Sequence, residues 1–225
     1  MRIERAVILA AGLGTRLKWL TRNRPKALMP VAGEPAIVHV IRGLAAQGVR
    51  DIAVNVHHHA DTLMQALGDG SRYGVRLYFS LEESLLDSGG GVRAALEYLP
   101  GDGPVAVHNA DVLCRIDVRQ LAKTCPAQGC AIGLVPNPAH HAAGDFALKN
   151  GRVVAGVESR YTFAGVSLWY PSVLDGYAVG EKFSLVEPMR YCIDASTCGG
   201  MIYREGWFDI GRPADLFRAS RMWRP

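Results

Sequence analysis

Residues 5–10 (Arg-Ala-Val-Ile-Leu-Ala) form a short apolar run without alternation that stops at Gly12 and Gly14. A strand buried on both faces and feeding a loop is patterned this way. Residues 36–47 instead place apolar side chains at helical spacing and stop at Gly48, a C-terminal glycine. The two textures then alternate. They predict strands over 51–56, 75–80 and 105–108, and helices over 60–67, 90–99 and 118–123, with Pro100 halting the helix before it.

Strands that alternate with helices need crossover connections, so the pattern predicts an α/β fold: three layers, α/β/α, Rossmann-like, with a mainly parallel sheet. After residue 130 the texture changes. Short strands at 131–135, 145–148, 152–157 and 163–169, with a hairpin turn at Asn150-Gly151, predict a more antiparallel portion. Residues 212–222 close the chain as a helix. No repeat, low-complexity tract or linker interrupts it, which predicts one domain over 1–225. Its nucleotide-binding half would be 1–125 and its second half 126–225.

Composition sharpens this. At 225 residues, 49% hydrophobic and 20% charged, with a mean hydropathy of +0.07, the chain is neither disordered nor a coiled coil. The longest stretch free of Asp, Glu, Lys and Arg, 124–144, carries Pro126, Pro136 and Pro138 and is no membrane helix. Arg2 and Arg5 ahead of an apolar run faintly mimic a leader peptide. The run is short and glycine-broken, so a first strand and a cytoplasmic protein are expected. Five cysteines, odd in number and without a C-x-x-C pair, read as reduced thiols. The net charge of +4 comes from arginines dispersed along the chain. That suits a phosphorylated ligand and, without a basic block, argues against nucleic acid.

The loop after the first strand, Ala10-Ala11-Gly12-Leu13-Gly14-Thr15-Arg16, lets the backbone approach a ligand and aim N–H groups at phosphate oxygens. It is not a dinucleotide fingerprint, because Leu17 stands where a third small residue is needed, and the chain has no G-x-x-x-x-G-K-[ST]. A glycine loop ending in Arg16 remains, with Lys26 ten residues on.

The strand, then Ala-Ala-Gly-Leu-Gly-Thr-Arg-Leu at 10–17 and Pro-Lys-Ala-Leu-Met-Pro-Val-Ala-Gly-Glu-Pro at 25–35, resembles the opening of the sugar-1-phosphate nucleotidyltransferases. Glu82 ahead of Asp87-Ser88-Gly89-Gly90-Gly91, then His108-Asn109-Ala110-Asp111, then Trp207-Phe208-Asp209-Ile210-Gly211 continue the likeness over nearly the whole chain. Residues 137–146, 163–167 and 181–185 are similar to one branch, the short N-acetylmuramic acid α-1-phosphate uridylyltransferases of peptidoglycan recycling.

The resemblance implies a glycosyltransferase-A-like domain that joins an NTP, UTP in this branch, to a sugar-1-phosphate and releases pyrophosphate. It implies a Mg²⁺ ion on Asp111 and Asp209, with Arg16 and Lys26 as the fixed cations of a catalytic set completed by Asp111. Ala11, Gly12, Gly14, Thr15, Arg16, Lys26, Glu82, Ser88, Gly89 and Gly90 would bind nucleotide. Asn109, Gly144, Asp145, Glu158 and Gly165 would bind the sugar. The chemistry agrees with these residue types: two polyanions must be held in line, so positioning and charge neutralisation dominate. A monomer or weak dimer without nucleic-acid or membrane partners is expected.

Guanylyl transfer to mannose- or heptose-1-phosphate, thymidylyl transfer to glucose-1-phosphate, and a catalytically silent nucleotide-sugar sensor are the alternatives. His57-His58-His59 reads as a loop rather than a zinc site, and the four tryptophans as packing. Trp19, Ala27, Ala110 and Arg212 depart from the usual family residues without removing a charged catalytic group.

Overall fold

In the computed structural model, which describes residues 1–22, 24–155 and 160–224, the first half alternates as its pattern predicts. Strand β1 (Arg5–Leu9) leads through 3-10 turns at Thr15–Thr21 and Lys26–Leu28 to a small hairpin, β2 (Pro30–Val31) and β3 (Glu34–Pro35). Helix α1 (Ala36–Ala46), strand β4 (Asp51–Val56), α2 (Ala60–Leu67), β5 (Arg76–Leu81), α3 (Asp87–Leu96), β6 (Val105–Asn109), β7 (Val112–Leu113) and α4 (Val118–Thr124) follow. The second half runs β8 (Cys130–Val135), β9 (Ala147–Lys149), β10 (Arg152–Val154), β11 (Thr162–Trp169), α5 (Val186–Asp194), β12 (Cys198–Ile202), β13 (Phe208–Asp209) and α6 (Pro213–Met222).

Among the described residues, one nine-stranded sheet, ordered β5-β4-β1-β6-β11-β8-β12-β10-β9, takes strands from both halves. β5, β4, β1 and β6 are mutually parallel. β11 runs antiparallel between β6 and β8, β12 returns parallel to β8, and β10 is antiparallel to its neighbours β12 and β9. The sheet is therefore mixed, with most strands pointing one way.

Alternation along the strands builds the three layers. Ala6 and Ile8 of β1 face the core shared with α1, α2, α4 and α6, whereas Val7 faces the core shared with α3 and α5. Such doubly buried strands read as unbroken apolar runs because both faces are dry. Among the described residues no helix is long and apolar enough to cross a membrane.

Several boundaries differ from the sequence reading. Helix α3 begins at Asp87, three residues before the expected start, and ends at Leu96. The hairpin at Asn150-Gly151 forms, with both residues at positive φ (51° and 74°), between strands shorter than expected. Part of the strand expected over 152–157 lies outside the described residues.

β12 and α5 escaped the pattern entirely. β12 reads Cys-Gly-Gly-Met-Ile, and its glycines are spatial necessities. A Cβ on Gly199 would stand 1.9 Å from the carbonyl oxygen of Thr124 at the end of α4. α5 carries Pro188 in its first turn, where the missing N–H costs nothing.

Candidate active site

The glycine loop leaves β1 at the C-terminal edge of the parallel strands, where α/β folds bind ligands. Asn55, paired with Leu9 in the sheet register, anchors it: its Oδ1 accepts from the backbone N–H of Ala10 (2.6 Å) and Ala11 (3.3 Å). The Asn55 Nδ2 donates to Glu82 Oε1 at 2.7 Å, and Glu82 Oε2 accepts the N–H of Leu86 at 3.0 Å. Both side chains are buried, with 3% exposure each. Gly91 packs against their bond; a Cβ there would lie 2.5 Å from Asn55 Nδ2 and 2.7 Å from Glu82 Oε1.

Gly14 sits at φ 65°, a left-handed conformation that glycine adopts cheaply. Its Cα faces Lys26, so that a Cβ would meet Lys26 Cβ at 3.1 Å. Pro25 in the extended region sets the start of the turn that carries Lys26. The Lys26 ammonium forms an ion pair with Asp111, and both side chains are largely shielded from solvent.

Asp111 lies between β6 and β7. β7 pairs antiparallel with β13, setting Asp209 opposite Val112, and the N–H of Ile210 donates to the Asp111 carbonyl at 2.8 Å. That strap brings residues 98 positions apart in the chain to one mouth. Gly211 closes it: a Cβ there would stand 3.3 Å from both Arg16 Nη1 and Asp209 Oδ1. Burial raises the Asp209 carboxyl above its ordinary value and the nearby Asp111 charge adds to this, while Lys26 and Arg16 pull it back down.

A cleft of about 370 Å³ opens beside this centre; Arg16, Asn109, Asp111, His141, Asp209 and Arg212 are among its lining residues. Gly165, at φ 75° within an irregularity of β11, lets Asn109 in: a Cβ on it would lie 2.9 Å from Asn109 Nδ2. Trp207 Nε1 donates to the Ala164 carbonyl at 2.9 Å and walls the same cleft.

Of the residues expected to bind nucleotide, Ala11, Gly12, Gly14, Thr15, Arg16 and Lys26 belong to the loop and turn around this mouth. Glu82 and the Ser88-Gly89-Gly90 segment are placed differently. Glu82 spends both oxygens internally, and the N–H groups of Gly89 and Gly90 donate to the Phe183 carbonyl (3.0 and 3.2 Å). Ser88 Oγ accepts from the N–H of Leu185 at 3.0 Å. A Cβ on Gly90 would stand 2.2 Å from the Glu181 carbonyl oxygen, so these glycines dock the 181–185 segment onto α3.

Of the residues expected at the sugar, Asn109 and Gly165 line the cleft, and Gly144 turns the neighbouring loop at φ 60°. Asp145 Oδ1 lies 2.8 Å from His141 Nε2, and its Oδ2 accepts the N–H of Phe163 at 2.8 Å. Glu158 lies outside the described residues. Asn55 and the cleft-lining Thr162 were missed; Asn55 left one signal, an amide within the apolar run that follows Asp51 in β4.

His57 Nδ1 bonds the Glu82 carbonyl at 2.8 Å, and among the described residues no group of three or more His, Cys, Asp and Glu side chains is arranged to hold a metal. The five cysteines are free.

A model of the nucleotidyl transferase family matches residues 5–224. The chain belongs to that family. This nucleotidyltransferase is 34% identical over 97% of both chains to the N-acetylmuramate α-1-phosphate uridylyltransferase of Neisseria meningitidis serogroup B. It is 28% identical to the mannose-1-phosphate guanyltransferase of Candida albicans, matching 96% of this chain but 63% of that one. A candidate glucose-1-phosphate thymidylyltransferase from Bacillus anthracis, solved with a sucrose, superposes with a TM-score of 0.86 over 97% of this chain and 94% of the other. At 19% identity that likeness is one of fold.

Proposed function

We propose that this nucleotidyltransferase transfers UMP from UTP to N-acetylmuramate α-1-phosphate, releasing pyrophosphate and forming UDP-N-acetylmuramate. The observation that carries the reaction class is the convergence of Lys26, Arg16, Asp111 and Asp209 on one mouth beside the glycine loop. The near full-length uridylyltransferase relative supports the substrate pair, since the guanyltransferase matches only part of its own length.

Two facing carboxylates suit Mg²⁺, which binds through one or two protein carboxylates and takes its remaining ligands from phosphates and water. The donor set fits: burial, and after it the nearby Asp111 charge, raise Asp209, and a cation shared by the two carboxylates would relieve both costs. Asp111 and Asp209 would hold the ion, which supplies charge neutralisation to phosphate oxygens when bound.

An oxygen of the sugar phosphate attacks the α-phosphorus of the nucleotide while the bond to the bridging oxygen breaks and pyrophosphate leaves. No difficult proton moves, so the side chains act by position and charge. Lys26 contacts α-phosphate and sugar phosphate together. A compact ammonium serves there better than a planar guanidinium, and its present partner, Asp111, keeps it aimed at the reacting centre. Arg16 stabilises the departing pyrophosphate. Asn109 and the space kept open at Gly165 receive the sugar. Residues 1–125 supply the nucleotide side of the site and 126–225 most of the sugar side.

The test is pyrophosphate release with UTP, dTTP, GTP and CTP crossed against the 1-phosphates of N-acetylmuramate, N-acetylglucosamine, mannose and glucose. Turnover confined to UTP with N-acetylmuramate 1-phosphate supports the reading. Turnover with another pair keeps the reaction and discards this substrate. Nucleotide binding without turnover in any pair discards the enzyme and favours the sensor.

A further inference from the structure

The loop between β8 and β9 is stitched to β11 by two side chains. Asn137 Nδ2 donates to the carbonyls of Ala142 (2.9 Å) and Arg160 (3.2 Å), and its Oδ1 accepts from Thr162 Oγ1 at 3.0 Å. Asp145 adds the bond from the Phe163 N–H and a 2.8 Å contact to His141 Nε2. His141 closes a single 3-10 turn, its N–H donating to the Pro138 carbonyl at 2.8 Å. It lines the catalytic cleft, whereas Asp145 does not. A carboxylate can only accept, so the proton of this pair sits on His141 Nε2. In the neutral ring Nδ1 then carries a lone pair, and no described residue bonds it.

From this geometry we propose that His141 is a direct acceptor-binding residue of the transfer reaction, taking a sugar hydroxyl on Nδ1, and that Asp145 is its positioning residue. The inference rests on the sugar-1-phosphate reading above. It moves the sugar contact from the carboxylate, whose oxygens are both engaged, to the imidazole that the carboxylate orients. A carboxylate on the far nitrogen fixes tautomer and ring orientation, as it does for metal-bound histidines.

The experiment measures steady-state constants for both substrates, and calorimetric binding of N-acetylmuramate 1-phosphate, in wild type, His141→Ala, His141→Gln, Asp145→Asn and the Asp145→Asn/His141→Ala double variant. Loss of one neutral hydrogen bond predicts a rise in the sugar-phosphate KM of about tenfold in His141→Ala, with the UTP KM and melting temperature unchanged. Asp145→Asn raises the same KM less, because an amide still accepts one bond.

The decisive readout is coupling: if Asp145 acts through His141, the double variant is no worse than His141→Ala alone. An unchanged sugar-phosphate KM in His141→Ala and His141→Gln, or single effects that multiply in the double variant, overturns the proposal while the transferase reading stands. A wild type that neither turns over nor binds any of the four sugar phosphates removes both.

Discussion

Replacing Glu82 by glutamine tests whether the carboxylate works inside the protein or on the nucleotide base. Its two oxygens face two donors, Asn55 Nδ2 and the N–H of Leu86. Glutamine offers one acceptor and one donor group, so one of these contacts must become donor against donor. Asn55 cannot rotate its amide to compensate, because its Oδ1 already accepts from Ala10 and Ala11. The loss is one buried bond to a charged acceptor, about 1.5–3 kcal/mol. Burying a neutral amide in place of a carboxylate returns part of that. A net cost of about 2 kcal/mol lowers the melting temperature by roughly 4–8 °C in a chain of this size. Thermal unfolding without ligand reads it directly, and a UTP KM raised by loosening at Ala10 and Ala11 accompanies it. A variant as stable as wild type that loses only nucleotide affinity refutes this reasoning and returns Glu82 to the base.

Gly144→Ala, at φ 60° with its Cβ 2.7 Å from Asn137 Oδ1, costs about 2 kcal/mol; it raises the sugar-phosphate KM, and normal values of both stability and KM would contradict the loop account. Asp209→Asn removes a buried charge facing Asp111, so it raises the melting temperature of chelator-treated protein by a few degrees while turnover falls about a hundredfold or more. A less stable Asp209→Asn protein would contradict a carboxylate held at a cost by burial and by the Asp111 charge. Arg76 and Tyr78 bond Asp51 and hold its carboxyl below the ordinary carboxylate range. That stabilisation is full above the unfolded value of about 4 and is lost as the pH falls through the depressed folded value. Because Arg76 is two-thirds exposed, Asp51→Asn costs only about 1 kcal/mol near neutral pH. Urea titrations should show the gap closing below about pH 4. A gap that widens in acid would reverse the assignment.

The glycine loop and Lys26 stand in short local patterns whose residue types the chemistry constrains, and the two aspartates were singled out through the family resemblance. Their meeting was not, since it depends on the β7–β13 strap, two strands of two residues each. Glu82 shows the converse limit. Its position in the motif was readable, but the direction of its side chain depends on Asn55, 27 residues earlier. Asp145 and His141 repeat the lesson, because spacing alone cannot say which of two polar neighbours faces the cleft. Among the elements, β12 was hidden by glycines that hydropathy scores as breaks but that crowding requires. The parallel half was the most readable, because doubly buried strands leave unbroken apolar runs.

The most direct measurement of the central claim is the rate of pyrophosphate release from UTP and N-acetylmuramate 1-phosphate by wild type and Lys26→Ala, with melting temperatures recorded alongside. Lys26 pairs with Asp111 at the mouth of the cleft rather than within the core, so the account predicts a robust wild-type rate, a fall of about a hundredfold or more in Lys26→Ala, and a melting temperature within a few degrees of wild type. A Lys26→Ala protein that turns over at nearly the wild-type rate would contradict the claim that these four charged side chains form the transfer centre.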